Sequence, residues 1–104
     1  MTKLDCNVTS CMHNADNCCC KRNIVVEGQA ANKSCDTCCG SFEENRGGLF
    51  KNLFKTPETR LQVDCDVLSC LYNDDHQCRA ERISILGDGA RAVGQTECGS
   101  FRER

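Results

Sequence analysis

The chain has 104 residues, twelve of them cysteine, and a formal charge of −2 with the thiols neutral. Leu, Ile, Val and Phe number only 20 and tryptophan is absent, too little apolar surface for a core that stands without cross-links. The acidic balance speaks against nucleic acid as a partner, and no stretch has the length of a transmembrane segment.

The first residues, Met-Thr-Lys-Leu-Asp-Cys, contain no apolar run of the kind a secretory leader needs. The expectation is a cytoplasmic protein, where closely spaced cysteines are metal ligands more often than disulfides. From Cys6 onward the chain repeats itself. Cys6, Cys11, Cys19 and Cys39 recur 59 residues later as Cys65, Cys70, Cys78 and Cys98. Residues 5–42 lie on 64–101 without a gap, and 16 of the 38 columns are identical. A repeat of this kind predicts two similar modules, residues 4–42 and 63–101, joined by a connector at 43–62. Each is expected to carry its own site.

Within each module, Cys6-x-Val8-x-x-Cys11 and Cys65-x-Val67-x-x-Cys70 suggest an extended segment entering a tight ligand loop. Asn14-Ala15-Asp16-Asn17 and Asn73-Asp74-Asp75-His76 are turn formers. The runs starting at Asn23-Ile24 and Arg82-Ile83 are rich in β-branched residues, and Gly28 and Gly87 follow them, so a strand ending in a turn is predicted. The small residues after each glycine fit either a helical turn or a loop. Phe42 and Phe101 are expected to close the core. In the connector, Leu49, Phe50, Leu53 and Phe54 share one helical face with Lys51 and Lys55 on its rim. That predicts a short amphipathic helix that packs on the modules, or docks another protein or a second copy of the chain.

The fold class that follows is small and cysteine-rich, stabilised by metal or by disulfides. Two repeated β-containing modules with little regular secondary structure are joined by the short helix. Four thiols per module suit one metal ion or two disulfides. A tetrathiolate zinc site needs four deprotonated sulfurs about 2.3 Å from the ion, and zinc binding contributes roughly 10–16 kcal/mol, more than so small a module gains by packing. Four protein thiolates leave no open coordination position, so hydrolytic zinc catalysis is not expected. His13 and His76 are outside the shared pattern and are expected to be exposed loop residues.

Cys18, Cys20, Cys35 and Cys38 occur in the first module alone, opposite Gln77, Arg79, Gly94 and Glu97. If residues 18–20 are extended, Cys18 and Cys20 point away from the face that carries Cys19, and Cys38 opposes Cys39 in the same way. The expectation is a second tetrathiolate site on the outer surface, which would hold a third metal; two further disulfides or a cross-linking surface would use the same residues.

The stretch from Cys65 through Ile83, Gly87, Ala90, Thr96, Cys98 and Phe101, with its counterpart in the first module, resembles the four-cysteine domain of unknown function numbered 1540. That family is common in anaerobic and spore-forming bacteria, often in tandem. The resemblance implies that the eight repeated cysteines are the defining residues, and it implies no activity. It also lends weight to a spore location, because coat proteins are made without leaders and cross-linked later. Two functional expectations follow. One is a non-enzymatic zinc-binding protein with structural tetrathiolate sites and an extra storage site in the first module. The alternative is a spore-coat-type structural protein that self-associates through disulfides. A thiol redox or iron–sulfur role is a third expectation, weakened because Cys35-Asp-Thr-Cys38 lacks a βαβ setting.

Overall fold

The computed structural model describes residues 2–45 and 57–104. They form ten strands: β1 (Thr2–Cys6), β2 (Asn14–Ala15), β3 (Cys18–Cys19), β4 (Asn23–Glu27), β5 (Cys38–Cys39), β6 (Arg60–Cys65), β7 (Asn73–Asp74), β8 (Gln77–Cys78), β9 (Arg82–Leu86) and β10 (Glu97–Cys98). Two 3₁₀ turns, Ser34–Asp36 and Val93–Gln95, occupy the small-residue stretches, and no α-helix occurs among the described residues. The amphipathic helix expected at 49–55 lies outside them.

Local chemistry explains the hairpins. Between β2 and β3, and between β7 and β8, the turn residues Asp16, Asn17, Asp75 and His76 all have φ between 52° and 63°. Two consecutive left-handed residues match the twist of a tight hairpin, and Asn and Asp tolerate them better than most side chains do. Gly28 and Gly87 end β4 and β9 with φ of 130° and 146°. A Cβ there would come within 2.6 Å of the Asp36 carbonyl oxygen or 2.7 Å of that of Gln95. Both glycines therefore let the following 3₁₀ turn fold back against the strand.

The two repeats share one sheet instead of folding side by side. β1 of the first repeat runs parallel to β9 of the second, with Lys3 opposite Arg82 and Cys6 opposite Ile85. β4 of the first runs parallel to β6 of the second, with Asn23 opposite Gln62 and Val26 opposite Cys65. The two pairings are the same pairing moved by the repeat length: 3 + 59 = 62 and 82 − 59 = 23. β1 and β6 meet antiparallel at their starts, Thr2 against Leu61 and Lys3 against Arg60. The strand path is β10-β9-β1-β6-β4-β5, so each repeat has handed its leading strand to the other.

The ends of that path meet. The Cys39 N–H donates to Thr96 Oγ1 and the Cys98 N–H to Thr37 Oγ1, both at 2.8 Å and buried. Ser10 Oγ donates to the Ala90 carbonyl at 2.6 Å, and Ser69 Oγ to the Ala31 carbonyl at 2.5 Å. Every one of these bonds crosses between repeats and has a counterpart 59 positions away. Alternation along the strands then turns Leu4, Ile24, Val26, Leu61, Val63, Ile83 and Ile85 inward to one shared core. Phe42 is buried, and Phe101 packs on the same cluster from a partly exposed position.

Fragments 1–56 and 57–104 should therefore be largely unfolded when separate. Mixed, they should regain sheet circular dichroism as a 1:1 complex; strand signal from either fragment alone would contradict strand exchange. Thr37→Val, which keeps the shape but leaves the buried Cys98 N–H without an acceptor, should destabilise the chain by about 1–3 kcal/mol in urea unfolding.

Candidate metal centres

The eight repeated cysteines collect in two cavities. The first, of about 20 Å³, is lined by Cys6, Cys11, Cys19 and Cys39 with Leu4, His13, Lys21 and Ile24 among its walls. The second, of about 10 Å³, is lined by Cys65, Cys70, Cys78 and Cys98 with Val67, Tyr72, Ile83 and Phe101. Each has room for roughly one water-sized body. Each is also closed by the other repeat: Ile85 completes the first, and Val26 with Thr37 completes the second. None of the twelve cysteines is joined in a disulfide in this structure. No set of three or more Cys, His, Asp or Glu stands in coordinating geometry among the described residues, so loading an ion would draw the sulfurs inward around the cavity.

The backbone is arranged to receive negative charge on these sulfurs. The N–H of the residue two positions on donates to each of six thiols. His13 serves Cys11 and Lys21 serves Cys19, both at 3.4 Å; Ser41 serves Cys39, Val67 serves Cys65, Ala80 serves Cys78 and Ser100 serves Cys98. Such donors lower the thiol pKa and stabilise a thiolate. Asn14 and Asn73 hold the loops in place by donating to the Cys6 and Cys65 carbonyls at 2.9 and 2.8 Å.

Burial opposes those donors. Loss of hydration pushes Cys39 up to about 12, with neighbouring Cys6, Cys11 and Cys19 adding to the effect. It pushes Cys19 and Cys98 up to about 11, and it raises Cys65 and Cys78 as well. In the metal-free protein these thiols are protonated at neutral pH. A cation placed among them changes the balance, because it supplies the attraction that water no longer can.

The other candidate ligands are placed differently. Cys18, Cys20, Cys35 and Cys38 line neither cavity. Cys18 and Cys20 are half-buried on either side of buried Cys19, Cys38 is half-buried beside buried Cys39, and Cys35 is exposed on its 3₁₀ turn. Burial raises the Cys38 thiol, and the Glu27 carboxylate adds to it. His76 is exposed in its hairpin turn. His13 corrects the expectation of an exposed loop residue: it is 9% exposed and forms part of the first cavity wall. Its Nε2–H donates to the Glu43 carboxylate at 2.9 Å. Tyr72, its counterpart 59 positions on, lines the second cavity. The difference from Tyr72 set His13 outside the shared pattern; its place two residues after Cys11 was the available signal.

The architecture is that of a small β-protein in which two four-cysteine repeats interlock and each encloses a thiol cluster. The chain belongs to the family described as Domain of Unknown Function (DUF1540), whose model matches it twice, at residues 4–42 and 63–101. Comparison with curated proteins and with solved structures finds no match. No helix among the described residues is long and apolar enough to cross a membrane.

The raised thiols set a pH dependence for the metal-free, reduced protein. Their pKa is higher folded than the ordinary 9.0, so the folded state keeps protons that the unfolded chain loses first. The stability this represents is complete below pH 9 and is lost as pH rises through 9 toward 12. Thermal melts in reductant should show Tm falling across that window, whereas a Tm that held or rose would contradict the burial.

Proposed function

We propose that this is a non-enzymatic zinc-binding protein in which each repeat holds one structural ion through its four shared cysteines. The observation that supports the reading best is the pattern of backbone N–H donors aimed at buried sulfur. A disulfide carries no charge and gains little from such donors, whereas a tetrathiolate zinc centre carries 2 − 4 = −2 and gains from each one. Zinc when bound supplies a tetrahedral cross-link among four short segments, with no open position for substrate. The chain's own residues do the rest: Val8 and Val67 lie under the ligand loops, and the apolar walls keep water from the sulfurs. Soft thiolate ligands favour zinc over the harder divalent cations.

A second reading, the coat-type protein joined by disulfides, is favoured by the position of the remaining thiols. Cys35 is exposed, and Cys18, Cys20 and Cys38 are within reach of solvent. Bonds between chains would form there and leave the eight shared cysteines untouched. The same four are the residues available for an extra storage ion.

Native mass spectrometry of protein purified with and without reductant distinguishes these readings. Two zinc ions per chain are expected, falling to one in Cys98→Ser; a third ion that disappears in the Cys18→Ser, Cys20→Ser double variant would mark the storage site. Zinc added to apo-protein at pH 7 should release about four protons per ion, read by calorimetry in buffers of different ionisation enthalpy, and affinity should fall as pH falls. A protein without zinc that has lost two hydrogens per cysteine pair would favour the disulfide reading.

A further inference from the structure

The two cavities are alike in their sulfurs and unlike at one wall position. His13 stands in the first where Tyr72 stands in the second. Glu43 meets the histidine, and the residue 59 positions on from Glu43 is Arg102, which has no carboxylate to offer. The imidazole is nine-tenths buried and shares a wall with four thiols. We infer that His13 is a fifth donor in the first cavity and that it makes this cavity the metal-exchange site of the pair; the inference rests on the zinc reading of the cavities.

Chemistry and geometry support this together. The bond from Nε2–H to Glu43 fixes the ring tautomer, so the basic nitrogen of the neutral ring is Nδ1, which is buried. A carboxylate behind a histidine is the arrangement that orients imidazole ligands and raises their basicity in zinc proteins. Zinc accepts four ligands and the first cavity offers five. With zinc bound, the imidazole would take the place of one thiolate, and the leaving sulfur would take up one proton from solvent. The centre passes from four sulfurs and a charge of −2 to three sulfurs, one nitrogen and a charge of −1. Such an exchange would open a route by which an incoming thiol or chelator takes the ion ligand by ligand. The second cavity has a phenol at this position, a poor zinc ligand at neutral pH, so it keeps its ion.

Cobalt(II) replaces zinc and reports its ligands by absorption, because sulfur-to-cobalt charge transfer and the d–d bands both change when nitrogen replaces sulfur. The full-length protein loaded with two cobalt ions should show the sum of two unlike centres, and a chelator should remove them in two phases. His13→Tyr places in the first cavity the residue the second already accepts. It should still bind two ions, show one all-sulfur spectrum and lose the fast phase. The converse pair Tyr72→His, Arg102→Glu should add nitrogen character to the second centre. Two cobalt ions with a spectrum and release unchanged by His13→Tyr would overturn the assignment of His13 alone. Failure of both the wild-type and the variant to bind cobalt would overturn it together with the zinc reading.

Discussion

The exchange of leading strands between the repeats is the constraint on which everything else depends. A module of some 38 residues with few large apolar side chains cannot enclose a core. Here β1 completes the second repeat and β6 completes the first, so Leu4, Ile24, Leu61 and Ile83 bury one another at a single centre. The thiol cavities inherit this arrangement. Cys6 lies opposite Ile85, which in turn faces Cys98, and Cys65 lies opposite Val26, which faces Cys39. Each cluster is thus one strand away from a cysteine of the other, and the Thr37 and Thr96 hydroxyls tie the last cysteine of each directly to the opposite repeat. Each cavity takes part of its wall from the other repeat.

Within the cavities, two opposing effects act on Cys19, Cys39, Cys65, Cys78 and Cys98. Burial disfavours the thiolate strongly enough to hold Cys39 near 12, while the N–H donors two residues on favour it. The backbone alone does not win that contest. Thiols held protonated yet faced by such donors would lose their protons to solvent if a cation entered, whereas a permanent thiolate would be reactive and an undecorated apolar cavity would reject the charge. The four outer cysteines have no comparable enclosure, and Cys35 is open to solvent. Their chemistry is governed by the medium around the protein.

Much of this was legible in the residues. The hairpin turns at 16–17 and 75–76, the strands beginning at Asn23 and Arg82, and the glycines that end them follow from local preferences that need no partner. The alternation of Cys18, Cys19 and Cys20 between half-buried and buried was likewise readable from strand periodicity. His13 was not, because nothing in Cys-Met-His distinguishes an imidazole turned to solvent from one built into a wall. The columns shared by the repeats also proved to have more than one cause. Ser10, Ala31 and Thr37 are repeated as Ser69, Ala90 and Thr96 because they hold one repeat to the other, a role that a module read by itself cannot reveal.

By itself the sequence determined that there are two equivalent four-thiol units, where their turns fall, and which eight of twelve cysteines the fold shares. These are properties of spacing and of local backbone preference, and they survive without knowledge of the fold. Only the tertiary structure decided which strand pairs with which and what closes each cavity. Parallel pairing between segments some 80 residues apart, as in Lys3 with Arg82, leaves no mark in local composition. It is selected by the one arrangement that buries both apolar faces and both sets of sulfur at once.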